Sequence, residues 1–250
     1  MLKAGIMEDG LVKASEEGTP QGSILSPLLS NIYLHYALDL WFENRFKKYC
    51  KEGAYYFRFA DDFLACFQDK RDAEDFYNRL GDRLEGFNLE LAEEKTHIIE
   101  FGRFVREDAR KRGQKPPEFT FLGFTHYCGK TKNGYFKVKR RTSRKKLGQG
   151  LRKFSEWARR GRCYLKKGEM LRRAKTKIVG HLSYYAITDN SKRCNSFIYH
   201  ATGILFKWLN RKSQRTTYTW EGFRDALKWI GWPSAKIRKN LSPFRRAEAL

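Results

Sequence analysis

Apolar and polar positions alternate differently in the two parts of this chain. The first part reads as helices mixed with strands, and the second as helices alone. Leu29, Ile32, Tyr36 and Leu40 recur at helical spacing, so a helix is expected after Ser26, a good N-cap with Pro27 preset at the first helical position. From Ala54 to Gln68 the run is aromatic and apolar around Asp61 and Asp62, which predicts a hairpin of strands. Asp69 and Asp72 then open a helix with Ala73, Phe76, Leu80 and Leu84 on one face, and Gly86 ends it. A strand is expected around Leu89 to Phe101. Arg103 to Glu118 is basic, holds Pro116-Pro117 and has few apolar positions, so it reads as a loop and a compositional boundary. Phe119 to Arg140 alternates well enough for two strands around Lys132-Asn133-Gly134.

Beyond Thr142 the period is helical. Leu147, Leu151, Phe154 and Trp157 mark one helix, Leu171, Ala174, Ile178, Leu182 and Tyr185 a second, and Ile198, Ala201, Leu205 and Trp208 a third. A last short helix from about Trp220 to Ile230 stops at Gly231, with Pro233 behind it. The expected fold is α+β, with antiparallel strands and helices over residues 1–141 and a helical bundle over 142–250.

Charge sharpens this division. Residues 1–102 hold 12 Lys+Arg against 19 Asp+Glu, a net of −7, whereas 103–250 hold 39 against 9, a net of +30, within a total of +23. A basic half interleaved with Trp157, Trp208, Trp220, Trp229, Trp232, Tyr184, Tyr185, Tyr199 and Tyr218 suits a surface that tracks phosphate and stacks on bases. Helical spacing makes ordinary core the competing role for many of these aromatics. The longest apolar stretch, Leu28 to Trp41, is broken by Asn31, His35 and Asp39, so no membrane span is expected. No signal peptide is read at the N-terminus, and the five cysteines form no Cys-x-x-Cys pair, which points to a reducing, cytoplasmic compartment, bacterial or organellar.

Carboxylates inside an apolar hairpin are costly unless a cation neutralises them, and hard oxygen ligands on a stiff strand suit Mg²⁺. In regular strand Asp61 and Asp62 would point to opposite faces, whereas a tight turn would bring them together. An exposed Asp-Asp turn at the hairpin tip is the plain structural alternative. Gly18-Thr19-Pro20-Gln21-Gly22-Ser23 reads as a rigid turn whose glycines let backbone approach a base pair, with Thr19 and Gln21 offering hydrogen bonds. Lys95 is a candidate proton donor to departing pyrophosphate. Arg140, Arg141, Arg144, Lys145 and Lys146 form a basic cluster suited to RNA phosphates.

Taken in order, these blocks resemble the later palm motifs of reverse transcriptases. Gly18 to Ser23 followed by Ser26-Pro27-Leu28-Leu29 is similar to the Gly-Thr-Pro-Gln-Gly-Gly…Ser-Pro-Leu-Leu block, and Phe59-Ala60-Asp61-Asp62 to the Tyr-Ala-Asp-Asp box. Glu94-Lys95-Thr96 resembles the lysine motif, and Phe121-Leu122-Gly123-Phe124 the primer-grip hairpin. Gly180-His181-Leu182-Ser183-Tyr184-Tyr185, Phe206-Lys207-Trp208-Leu209-Asn210-Arg211 and Thr219-Trp220-Glu221-Gly222-Phe223 resemble the thumb, or maturase domain X, of the group II intron branch.

The resemblance implies a partial palm over 1–141 and a thumb/maturase region over 142–250. It implies RNA-directed DNA synthesis with maturase activity, acting on RNA template, DNA primer, dNTP and intron RNA. It assigns Mg²⁺ to Asp61 and Asp62, catalysis to these and Lys95, and nucleotide or template contacts to Thr19, Pro20, Gln21, Gly22, Phe59 and Ala60. Phe59 stands where the family has tyrosine, and Ser23 where it has a second glycine. The family also places a metal-binding aspartate and the fingers ahead of the Gly-Thr-Pro-Gln block, while 17 residues precede Gly18 here. The isolated chain is therefore expected to be inactive as a polymerase unless a separate N-terminal reverse transcriptase fragment completes it. A non-catalytic RNA-binding splicing helper, or the remnant of a broken intron gene, is the alternative.

Overall fold

The computed structural model describes residues 25–211 and 217–241, together with the backbone of two short paired strands, β1 (Ile6–Glu8) and β2 (Leu11–Lys13). The turn 18–23, with Thr19, Pro20, Gln21 and Gly22, lies outside the described residues. Two compact units divide the chain, 1–99 and 100–250. The expected compositional break at Arg103 falls close to this division. The expected palm–thumb boundary at 141/142 falls inside the second unit, because the sheet ahead of it packs on the helices behind it.

In the first unit, α1 (Ser26–Leu34) runs through π-helical turns at His35–Asp39 and Phe42–Phe46 into α2 (Lys47–Tyr49). Two expectations fail here. Leu25 occupies the cap position without a side-chain bond, leaving Ser26 inside the helix. The buried stripe is Ala37, Leu38, Phe42 and Phe46, whereas Ile32 and Tyr36 are exposed. Each π turn adds residues to the helical repeat, so a straight 3.6-residue count drifts off the buried face.

The hairpin β3 (Ala54–Phe59) and β4 (Asp62–Phe67) and the helix α3 (Lys70–Glu85) form as expected. The Asp69 side chain caps α3 by accepting from the Arg71 N–H at 2.8 Å. Phe76, Leu80 and Leu84 bury the α3 face against Phe42, Phe46 and Ala54. The rings of Trp41 and Phe76 stack at 5.6 Å, adding shape-specific packing to that burial. Leu89 to Phe101 is not a strand. It holds one 3₁₀ turn, Glu93–Lys95, and finds no ladder partner among the described residues.

The second unit begins with a helix where a loop was expected, α4 (Val105–Lys111). Val105 and Ala109, four residues apart, bury one face. Glu107 and Asp108 lie near its start and Arg110 and Lys111 near its end, in the sense that the helix dipole favours. Three strands follow instead of two: β5 (Glu118–Phe121), β6 (Phe124–Lys130) and β7 (Phe136–Thr142), antiparallel in that order. Leu122 and Gly123, both at positive φ, make the two-residue turn that joins β5 to β6. A side chain at Gly123 would also crowd the Tyr185 hydroxyl at 3.1 Å.

The helices α5 (Arg144–Tyr164), α6 (Lys167–Tyr185), α7 (Ser191–Asn210) and α8 (Trp220–Trp229) then enclose one core. It is built on Phe154, Met170, Ala174, Ile178, Leu182, Phe197, Ala201, Leu205 and Phe223. Ser143 caps α5, and Gly231 at φ +65 closes α8 as expected: its N–H donates to Lys228 and that of Trp232 to Leu227. The interleaved aromatics split between both roles weighed for them. Trp157, Trp208, Trp232, Tyr185 and Tyr218 pack on the core, while Trp220, Trp229, Tyr184 and Tyr199 are exposed.

Fully buried Asn190 ties the sheet to the α6–α7 junction. Its Oδ1 accepts from the Thr142 N–H at 2.8 Å, and its Nδ2 donates to Thr142 Oγ1 and the Tyr185 carbonyl, both at 2.8 Å. Asn190→Ala leaves buried groups unpaired and should lower stability by about 2–4 kcal/mol. Denaturant unfolding of the variant reads this directly, and a change below about 0.5 kcal/mol would show that the network contributes nothing.

Candidate active site

The β3–β4 register pairs Phe59 with Asp62, so Ala60 and Asp61 alone form the hairpin turn. Ala60 adopts φ +54, a left-handed conformation that costs an L residue roughly 1–2 kcal/mol. Asp61 therefore sits in the turn and Asp62 on the first residue of β4, adjacent and exposed at the tip. This corrects the picture of carboxylates enclosed by an apolar hairpin. The apolar side chains flank the pair lower on the strands, and water reaches both acids. Among the described residues neither carboxylate has a hydrogen-bond or ion-pair partner.

Alternation divides the hairpin into two faces. Ala54, Tyr56 and Arg58 turn towards the first-unit core, whereas Tyr55, Phe57 and Phe59 are exposed at 60%, 55% and 64%. Cross-strand pairing puts Asp62 on the exposed face with Phe59.

The residue that sets the turn, missed in the sequence, is Arg58. Its Nε and Nη2 donate to the two Asp39 carboxylate oxygens at 2.7 Å each, and its Nη1 donates to Asn31 Oδ1 and to the Ala60 carbonyl, each at 2.9 Å. One guanidinium thus joins α1, its π-helical extension and the hairpin turn. Its hydrogen bonds hold the Asp39 carboxyl below the usual carboxylate range. The available signal was a lone arginine at an inward position of an apolar strand, which requires a buried acceptor.

Lys95 lies on the exposed 3₁₀ turn, and its ammonium has no partner among the described residues. The basic cluster divides. Arg140 donates to the Leu241 carbonyl at 3.2 Å, and Arg141 pairs with Glu118 and lies over the Tyr127 ring at 5.0 Å. Arg144, Lys145 and Lys146 stand exposed in the first turn of α5. Nearby, the His181 ring stacks on Phe197 at 3.6 Å, and burial holds its pKa down to about 4. It is therefore a neutral packing residue of the bundle at pH 7.

Residues 7–126 match the family model for reverse transcriptase (RNA-dependent DNA polymerase). This segment belongs to the reverse transcriptase family. The span contains the Asp61–Asp62 turn and Lys95, and it ends on β6. Among relatives, the protein YkfC of Escherichia coli is 34% identical over 124 residues, 39% of this chain and 32% of that protein. The group II intron-encoded protein LtrA of Lactococcus lactis is 62% identical over 34 residues, 14% of this chain and 6% of LtrA. A 91 kDa protein in the cob intron of Schizosaccharomyces pombe is 54% identical over 43 residues, 17% of this chain and 5% of that protein. The chain thus spans a third or less of these relatives, and its reverse transcriptase segment fits the group II intron reverse transcriptase/maturase branch.

Two adjacent, unpaired carboxylates fit a Mg²⁺ ion, which takes one or two protein carboxylates and completes its shell with water and substrate phosphates. Among the described residues no group of three or more His, Cys, Asp or Glu side chains could hold a metal. No helix among them is long and apolar enough to cross a membrane.

Proposed function

We propose that the chain supplies the catalytic hairpin and the RNA-binding thumb/maturase region of an RNA-directed DNA polymerase of the group II intron kind. The observation that carries this reading is the Asp61–Asp62 pair on an arginine-braced turn, inside the span that matches the reverse transcriptase family. Asp61 and Asp62 would hold Mg²⁺, which when bound stabilises charge on the transferring phosphoryl group. Arg58 keeps the Ala60 carbonyl, and with it the turn, in place. Phe59 and Ala60 border the incoming dNTP, together with Thr19, Pro20, Gln21 and Gly22, and Lys95 gives a proton to the departing pyrophosphate.

The basic second unit would bind intron RNA and the RNA template–DNA primer. Support comes from its charge and from Arg144, Lys145 and Lys146, which occupy a helix start where the dipole disfavours cations and phosphate would relieve the repulsion. Incorporation of labelled dNTP tests the polymerase half, with this sequence joined to the N-terminal part of a group II intron relative. Template- and Mg²⁺-dependent extension is expected, and its failure in a folded fusion overturns that half.

Arg144→Ala/Lys145→Ala/Lys146→Ala tests the RNA half without disturbing the ties made by Arg140 and Arg141. Each neutralised phosphate contributes about 0.7 to the log–log salt slope on a single strand and about 0.9 on a duplex. The triple change should weaken intron binding and splicing and shallow the slope by about 2–3. Extending it to Arg140 and Arg141 should deepen the loss. An unchanged slope would remove this cluster from the RNA surface.

A further inference from the structure

Strand alternation gives the β5–β6–β7 sheet two unlike faces. Phe119, Phe121, Phe124, His126, Cys128 and Val138 share one face, which packs within the unit through the edge-to-face contact of Phe119 with Phe101 and the stack of Phe124 on Tyr184. Glu118, Tyr127 and Gly129 share the other with Lys137, Lys139 and Arg141. Where that polar face meets α4 and the segment before β5, a cavity of about 760 Å³ opens. Five cations line it: Arg106, Lys115, Lys130, Lys139 and Arg141.

The surrounding acids do not balance this charge. Glu118 pairs with Arg141, and Glu107 lies 3.9 Å from Lys130. Among the described residues Arg106, Lys115 and Lys139 have no ion-pair partner, and Lys137, next on the same face, is taken by Asp189 at 2.9 Å. The sheet also makes room for one of the three. A Cβ on Gly129 would come within 2.8 Å of Lys139 Cδ, so the glycine lets the lysine stem lie across β6. Three unpaired cations converging on one cavity beside a tyrosine call for an anion with an aromatic part.

We propose that this cavity binds single-stranded RNA, taking successive phosphates on Arg106, Lys115 and Lys139 and a nucleotide beside Tyr127. The proposal rests on the RNA-binding reading above and adds a site separate from the α5 cluster. Single strand follows from the lining. Beside the cations it offers one aromatic side chain, Tyr127, where the unstacked base of a single strand can lie while the bases of a duplex stay paired and stacked.

The test uses the whole chain, a single-stranded RNA, the corresponding RNA duplex and free ATP. Arg106→Ala/Lys115→Ala/Lys139→Ala should weaken single-strand binding about 10- to 50-fold near 0.15 M salt and shallow its slope by about 2. Duplex binding should stay within about twofold, as for a contact that the duplex does not make. The charge-keeping change Arg106→Lys/Lys115→Arg/Lys139→Arg should retain the slope, which separates lost phosphate contacts from damaged folding. If the Ala variant fails to fold, Lys115→Ala alone, on the exposed segment, should still shallow the slope by about 0.7.

An unchanged single-strand slope overturns the proposal, as does an equal loss on duplex. Competition by ATP at the wild-type cavity, abolished in the variant, would make it a free-nucleotide site and also overturn it. Failure of the wild-type chain to bind any RNA instead removes the reading on which the proposal rests.

Discussion

In the fusion completed with the N-terminal part of a group II intron relative, Asp61→Asn should abolish template-directed primer extension while leaving RNA affinity within about 1 kcal/mol of the unsubstituted fusion, the scatter expected for a site away from the RNA surface. The asparagine keeps the size of the side chain and the turn around it, so the change removes charge with little disturbance. What disappears is one of two adjacent carboxylates whose exposure and lack of partners leave them free to take a divalent cation. Transition-state charge stabilisation by a bound metal is worth several kcal/mol, and each 1.36 kcal/mol is tenfold, so the loss should reach about 10²- to 10³-fold.

Asp62→Asn should behave alike, since Asp62 adjoins Asp61 at the tip. Raising primer–template concentration should rescue neither variant, because the defect is chemistry rather than binding. The α5 triple variant should show the opposite pattern, with extension partly recovered at high primer–template and splicing lost. Extension, intron affinity and splicing measured on both variants decide the matter. If Asp61→Asn damages splicing as badly as the α5 change, one site serves both functions and the division of labour is wrong.

The features legible in the sequence were those that one local rule determines. The α3, α6 and α7 stripes bury where helical periodicity puts them, and the β3–β4 hairpin forms because two short aromatic-rich runs flank the polar Asp61-Asp62 turn signal. Where two rules compete, the sequence misleads. Ile32 lies on α1, none of whose residues is buried, and Tyr36 lies on the first π-helical turn, where the repeat lengthens past 3.6 residues, so both are exposed. High basic content hid α4, although Val105 and Ala109 at i, i+4 already marked a buried side. Periodicity alone missed the Leu122-Gly123 turn because leucine seldom takes positive φ, whereas the resemblance of Phe121-Leu122-Gly123-Phe124 to a primer-grip hairpin had marked it. Its geometry is imposed by tertiary contacts: the Leu122 carbonyl accepts from the Tyr184 hydroxyl at 2.9 Å, and the Gly123 carbonyl from the Ser143 N–H at 3.0 Å.

At the candidate site the paired carboxylates were legible as a motif, but the arginine that braces their turn was not. Asp39 and Arg58 are 19 residues apart, and Asn31 lies farther still from Arg58. No local pattern links them. The three meet only because the hairpin's inward face packs on the extension of α1. The same limit applies to the sheet cavity, which gathers residues from α4, the segment before β5, and all three strands of the sheet.

Arg58→Ala should therefore damage the site without touching a reacting atom. The substitution strands Asp39, about a quarter exposed, without its partner, and releases the Ala60 carbonyl just ahead of Asp61. Removing one member of a fully buried pair costs about 3–5 kcal/mol; water reaching Asp39 should reduce this to about 2–3 kcal/mol. Hydrogen–deuterium exchange over 54–67 should read that loss as protection lowered about 30- to 150-fold. Lysine cannot reproduce the fork that grips both Asp39 oxygens while reaching Ala60, so Arg58→Lys should recover only part.

The pH dependence has a definite sign. Arg58 depresses the Asp39 pKa in the folded state, so the pair's stabilisation is present above the unfolded carboxyl value, near 4, and is lost as pH falls through the lower folded value. Wild-type hairpin protection should accordingly fall in acid below about pH 4. Arg58→Ala should lack that component and be weakened already at neutral pH. In the fusion that extends primers, loosening a turn that holds Ala60 at positive φ should lower extension about 10- to 100-fold, since small displacements of catalytic groups cost that much. RNA affinity should not change. An Arg58→Ala variant with wild-type protection and wild-type extension would show that the left-handed turn holds itself, and that the guanidinium only fills space beneath it.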